Sequence, residues 1–158
     1  HAIDAGIFLL ELQEPTDLSA LLEWEGFAVD GIKDGHLGLG FETVTDALKL
    51  DPLTANEFES LIARNALTGG SLRSILPLKA DGYFRAHLAP QSGEFEAGFA
   101  IALVLNGSGS VTFANAPAME ITQGDALVIP HAAGNYSISG ANVIVCRPPL
   151  AELARVAI

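Results

Sequence analysis

Apolar and polar positions divide the chain into a mixed opening and a long β-patterned remainder. Residues 6–12, Gly-Ile-Phe-Leu-Leu-Glu-Leu, are a short apolar run behind a glycine and predict a buried strand. Pro15 forbids its continuation as a central strand, because proline has no N–H for the ladder. Residues 20–29 alternate imperfectly around Leu22 and Trp24 and predict a second strand bent at Gly26. The pairs Asp30-Gly31 and Asp34-Gly35 tolerate positive φ and predict a loop. Beyond Phe41 the period changes. A short helix is expected over 42–50, and a clearer one starts within Asp51–Glu57. Two caps compete for it: Asp51 with Pro52 in the first turn, or Thr54 and Glu57 as a capping box. Phe58, Leu61, Ile62 and Asn65 share one face of this helix, which is expected to cover a core. Residues 66–70, ending in Gly69-Gly70, read as a hinge or linker.

From Ser71 to Pro148 the pattern is all β. Strands are predicted over 72–79, 83–89, 95–105, 109–113, 117–122, 126–130, 136–139 and 142–147. Turn pairs punctuate them: Asp81-Gly82, Ser92-Gly93, Asn106-Gly107, Gly124-Asp125 and Ser139-Gly140. Short strands at this spacing imply a sandwich, barrel or jelly roll. A final short helix is expected from Leu150 to Val156.

Composition narrows the function classes. Nearly half of the 158 residues are apolar and 17% are charged, which is globular and not disordered. A net charge of −11 with eight Lys and Arg disfavours nucleic acid and anionic membranes, both of which need a basic footprint. An anionic small molecule would need a local cluster, for which Arg73, Lys79 and Arg85 are the nearest thing in sequence. No apolar run approaches the roughly 18 residues that span a bilayer. Cys146 is the single cysteine and sits in the run Val143-Ile-Val-Cys, so a buried, inert thiol and a reducing compartment are expected.

The segment Gly124-Asp-Ala-Leu-Val-Ile-Pro130-His-Ala-Ala-Gly-Asn-Tyr136 resembles the second motif of a cupin. In that motif the proline ends a strand, and a tight turn aims the next strand's first residue into the barrel. Cupins place a metal-binding histidine there. In this chain the place falls near Asn135, and His131 comes too early. The strand around Ile101-Ala-Leu-Val-Leu-Asn-Gly also lacks the His-x-His and Glu of a metal site, so the resemblance is to a metal-free cupin.

A second resemblance lies at the start of the chain. His1-Ala-Ile, Gly6 and Leu10-Glu11-Leu-Gln-Glu-Pro-Thr-Asp17, followed by a barrel with Gly-x5-Pro, resemble the C-terminal portion of type I mannose-6-phosphate isomerase. That family joins a zinc-bearing catalytic cupin to a metal-free second cupin. The resemblance implies a mainly β fold in three parts. Residues 1–41 would be the last strands of the catalytic domain, 42–70 a helical connector, and 71–158 a metal-free jelly roll. It implies His1 as a Zn²⁺ ligand, and Glu11, Asp17 and His36 as sugar-site residues. His36 belongs to an Asp-Gly-His-Leu match with short bacterial members. Implied partners are a sugar phosphate and the N-terminal part of the catalytic domain, in the cytoplasm, with no nucleic acid and no membrane. Leu21 stands where the family carries an arginine. The other class left open is a non-catalytic cupin-like module for sugar binding or protein interaction.

Overall fold

The computed structural model describes residues 3, 5–13, 19–48, 50–62 and 72–150. The chain divides into two units, His1–Leu53 and Thr54–Ile158.

Helices and loops make up the described part of the first unit. Gly31–Asp34 (α1) is one helical turn, capped by the Asp30 carboxylate, which accepts from the Lys33 N–H at 3.2 Å. The loop expected over 30–35 is therefore a capped turn of helix. Phe41–Asp46 (α2) follows, close to the expected short helix. The strands expected over 6–12 and 20–29 are not formed. An apolar run becomes a strand only when a neighbour accepts its ladder bonds, and among the described residues these stretches pair with no strand. In the second of them, Leu21 bonds back across the unit, donating to the Gly35 carbonyl at 2.8 Å.

The second unit begins with Ala55–Ser60 (α3). Of the two competing caps, Thr54 forms: its hydroxyl accepts from the Glu57 N–H, and the Glu57 carboxylate accepts from the Thr54 N–H at 2.9 Å. The expectation that this helix covers a core is corrected, since it buries no residue and Phe58 is 52% exposed. Six residues give too little apolar stripe to bury. Residues 66–70 and 151–158, where a hinge or linker and a terminal helix were expected, lie outside the described residues.

Among the described residues six antiparallel strands follow: Arg73–Ser74 (β1), Arg85–Phe95 (β2), Ala100–Phe113 (β3), Met119–Thr122 (β4), Ala126–Ile129 (β5) and Tyr136–Arg147 (β6). Their order is β1-β2-β6-β3-β4, with β5 also on β3. The strand expected over 72–79 keeps only Arg73–Ser74, and Leu78–Gly82 forms a 3₁₀ turn that includes the expected Asp81-Gly82 turn. The larger correction concerns Asn106-Gly107 and Ser139-Gly140. Neither is a turn between strands: both are bulges within single long strands. At this crossing β3 and β6 approach too closely for any side chain. A Cβ on Gly109 would fall on the Ser139 carbonyl oxygen, and Gly140, at φ 86°, passes 2.7 Å from the Ser108 oxygen by the same measure. The bulges bend the long strands, so residues from both ends of β3 (Ala100, Val111) and of β6 (Tyr136, Val145) share one core. Among the described residues, no helix is long and apolar enough to cross a membrane.

Candidate functional site

Bending brings both ends of the long strands to one end of the β unit. The connection after β2 lies between them and is tied at two points. The Ala97 N–H donates to the Asn135 Oδ1 at 2.9 Å, and Arg147 Nη2 donates to the Glu96 carbonyl at 3.0 Å. A cavity of about 540 Å³ opens here. Phe95, Phe113 and Tyr136 give it aromatic walls, and Glu94, Glu96, Thr112, Asn135 and Ser137 supply polar edges. The Phe95 and Tyr136 rings stack at 5.0 Å and 12°, and Phe113 tilts against Tyr136 at 6.1 Å.

Asn135, at the place where cupins carry a histidine, is exposed and holds a loop; the next residue, Tyr136, turns inward to the core. Burial pushes the Tyr136 phenol above its ordinary range, and the charge of Arg147 pulls it the other way. The inward residues Ala100, Ala102, Val104, Val111, Ile138, Val143 and Val145 offer only hydrocarbon. Among the described residues no group of three or more His, Cys, Asp or Glu could hold a metal. Where a zinc site needs N, O or S donors, these described inward side chains supply hydrocarbon.

The residues singled out in the sequence lie in the first unit. His1 and Asp17 fall outside the described residues, and Glu11 is exposed on an unpaired stretch. His36 is half-buried, its ring edge-on to Phe41 at 5.2 Å, while Phe41 stacks on Trp24 at 5.7 Å. Its Nδ1 accepts from the Gly40 N–H at 3.2 Å. A neutral His36 ring consequently carries its proton on Nε2, where it can donate but not accept. Cys146 is half-buried and its thiol is pushed up by burial, which keeps it protonated and inert at neutral pH.

Three polar residues of the β unit were not picked out as site residues: His87, Tyr136 and Arg147. A signal existed for two of them. In Val143-Ile-Val145-Cys-Arg147 and Arg85-Ala-His87-Leu-Ala89, the period of two puts Arg147 and His87 on the same side as core residues. The His87 pKa is lowered, first by burial and then by Arg85 and Arg147, with Asp81 opposing. The sign follows directly. The folded state favours the neutral ring, so the unfolded chain takes up the proton first as pH falls below the ordinary 6.5. In chloride buffer the melting temperature is expected to fall from neutral pH to about pH 5. His87→Asn should flatten that slope in circular-dichroism melts, and an unchanged slope would remove His87 from the account.

No protein-family model matches the chain, and no curated protein does. Solved structures do. A mutant of phosphomannose isomerase from Salmonella typhimurium is 17% identical, with a TM-score of 0.51 over 69% of this chain and 27% of its own. Mannose 6-phosphate isomerase from Bacillus subtilis is 17% identical, with a TM-score of 0.45 over 68% of this chain and 33% of its own. A cupin-2 domain protein from Shewanella frigidimarina is 18% identical, with a TM-score of 0.38 over 61% and 93%. The first likeness speaks to fold alone. With it, the strand order and the folded-over sheet identify the chain as mainly β and antiparallel, a cupin-like fold with few short helices.

Proposed function

We propose that the chain is part of a zinc-dependent aldose–ketose isomerase that interconverts mannose 6-phosphate and fructose 6-phosphate, with Thr54–Ile158 as its metal-free β unit. The observation that carries this reading is the union, in one chain, of the His1-to-Asp17 pattern with a fold shared by phosphomannose isomerase. Exposure supports it. Ile7 and Phe8, in the apolar run expected to be a buried strand, are 59% and 89% exposed. A run of that composition suits cover by further polypeptide. In this reading His1 is one zinc ligand, Glu11 and Asp17 line or support the sugar site, and His36 offers an Nε2–H donor. The remaining ligands come from polypeptide preceding His1, and the protein works in the cytoplasm. Zinc sites take three or four protein ligands, so these 158 residues alone are inactive.

The test compares the 158-residue chain with the longer gene product. Near-stoichiometric zinc and sugar-phosphate turnover are expected from the longer protein, and no turnover from the 158 residues with added Zn²⁺. Turnover by the short chain would sink the fragment reading. A folded longer protein with neither zinc nor turnover would establish the alternative, a non-catalytic sugar-binding or interaction module, which the hydrocarbon lining of the β unit favours.

A further inference from the structure

β2 and β6 set two arginines directly opposite each other, Arg85 against Arg147. Like charges in that position repel, and this chain has few cations to spend on such a pair. His87 lies two residues along β2 on the same face and pairs in register with Val145. Both arginine charges reach His87, and the charge of Arg147 also reaches the Tyr136 phenol. Asp81 is the carboxylate that acts on His87 against them. Three polar atoms of this group are buried with no hydrogen-bond partner among the described residues: His87 Nδ1, Tyr136 Oη and Arg147 Nε. Buried polar atoms are almost always partnered, and leaving one unpartnered is costly.

We propose that Arg85, His87, Arg147 and Tyr136 form a binding site for an oxyanion, the phosphate or carboxylate group of a small metabolite. The two guanidiniums are held by backbone carbonyls. Arg85 Nε donates to Pro148 O at 2.9 Å and Arg147 Nη2 to Glu96 O at 3.0 Å. Each fork keeps further N–H donors for a ligand. An oxyanion between them converts a repelling pair into a bridged one, and supplies acceptors to Arg147 Nε and the Tyr136 hydroxyl. The site adjoins the aromatic cavity through Tyr136, which lines it, and through Glu96, whose carbonyl holds Arg147. That places the body of the metabolite against Phe95 and Tyr136, with its anionic end at the arginines. Nothing in this site depends on zinc or on the isomerase reading.

Isothermal titration calorimetry on the full 158-residue chain tests it, with inorganic phosphate and acetate as probes in chloride buffer. Saturable binding of at least one is expected, and competition between the two names the source of the oxyanion. Arg147→Gln and Arg85→Gln should each weaken binding about tenfold or more, and Tyr136→Phe, which removes only the hydroxyl, about threefold. Phosphate or acetate should also raise the melting temperature of the native chain and not that of the arginine variants. Absence of saturable binding by either anion would overturn the site. So would equal affinity in folded Arg85→Gln and Arg147→Gln.

Discussion

Gly109→Ala is expected to abolish most of the stability of the β unit. The added methyl would land on the Ser139 carbonyl oxygen, with the Ser139 carbonyl carbon at 2.8 Å and the Ala141 nitrogen at 3.0 Å. Every one of those atoms is backbone. None can swing aside as a side chain does, and β6 is fixed by ladders to β2 on one edge and β3 on the other. Relief requires breaking the bulged crossing that bends both strands around the core. A cost of about 3 kcal/mol or more follows, enough to use up much of a small unit's stability. Urea denaturation followed by far-ultraviolet circular dichroism and by Tyr fluorescence, whose two tyrosines both lie in the β unit, would show the midpoint drop. Gly124→Ala is the control: Gly124 has φ 91° but open space around it, so its cost is backbone strain alone, about 1–2 kcal/mol. Equal losses at the two positions would mean that β3 and β6 do not cross as closely as described.

Ile138→Ala is the second large effect, expected at about 2–5 kcal/mol, towards the upper end. Ile138 is 2% exposed and stands in register between Gly93 of β2 and Val111 of β3. Its neighbours cannot collapse into the space. Gly93 has no side chain to offer, and Val111 is itself fully buried and stiff at χ1. The cavity therefore stays open and forfeits packing as well as transfer free energy. Val128→Ala, at a 69% exposed position of β5, is the comparison and should cost well under ~1 kcal/mol. Chemical denaturation of both variants gives the ratio, and similar losses would contradict the assignment of Ile138 to the core.

Much of the β unit was legible in the chain. The strands over 119–122 and 126–129, the Gly124 turn, the inert cysteine and the β class all follow from alternation and turn chemistry. The Asn106-Gly107 and Ser139-Gly140 pairs did not read correctly. Such pairs favour positive φ whether the chain then reverses or merely bulges, and the choice is made by a partner strand far away in sequence. The same limit applies to 6–12. Its apolar pattern states a readiness to pair, and no partner strand takes it up among the described residues. At the N-terminus of α3 the information was local and sufficient, because both groups of the capping box lie three residues apart.

The candidate site divides along the same line. Period-two spacing put Arg85 and His87 on one face of their strand with Ala89, and Arg147 on one face with Val143 and Val145; that these faces meet the core came from the structure. The spacing could not show that Arg85 and Arg147 face each other, nor that Tyr136 and not Asn135 turns inward, since both depend on register and on one residue of loop length. Local composition and periodicity thus determined the β class of the second unit, several of its strands and the cap of α3. Tertiary structure alone decided which strands meet, where they bend, and which polar atoms end up buried together, because those outcomes rest on contacts between residues far apart in sequence, up to 63 positions for Arg85 and Pro148.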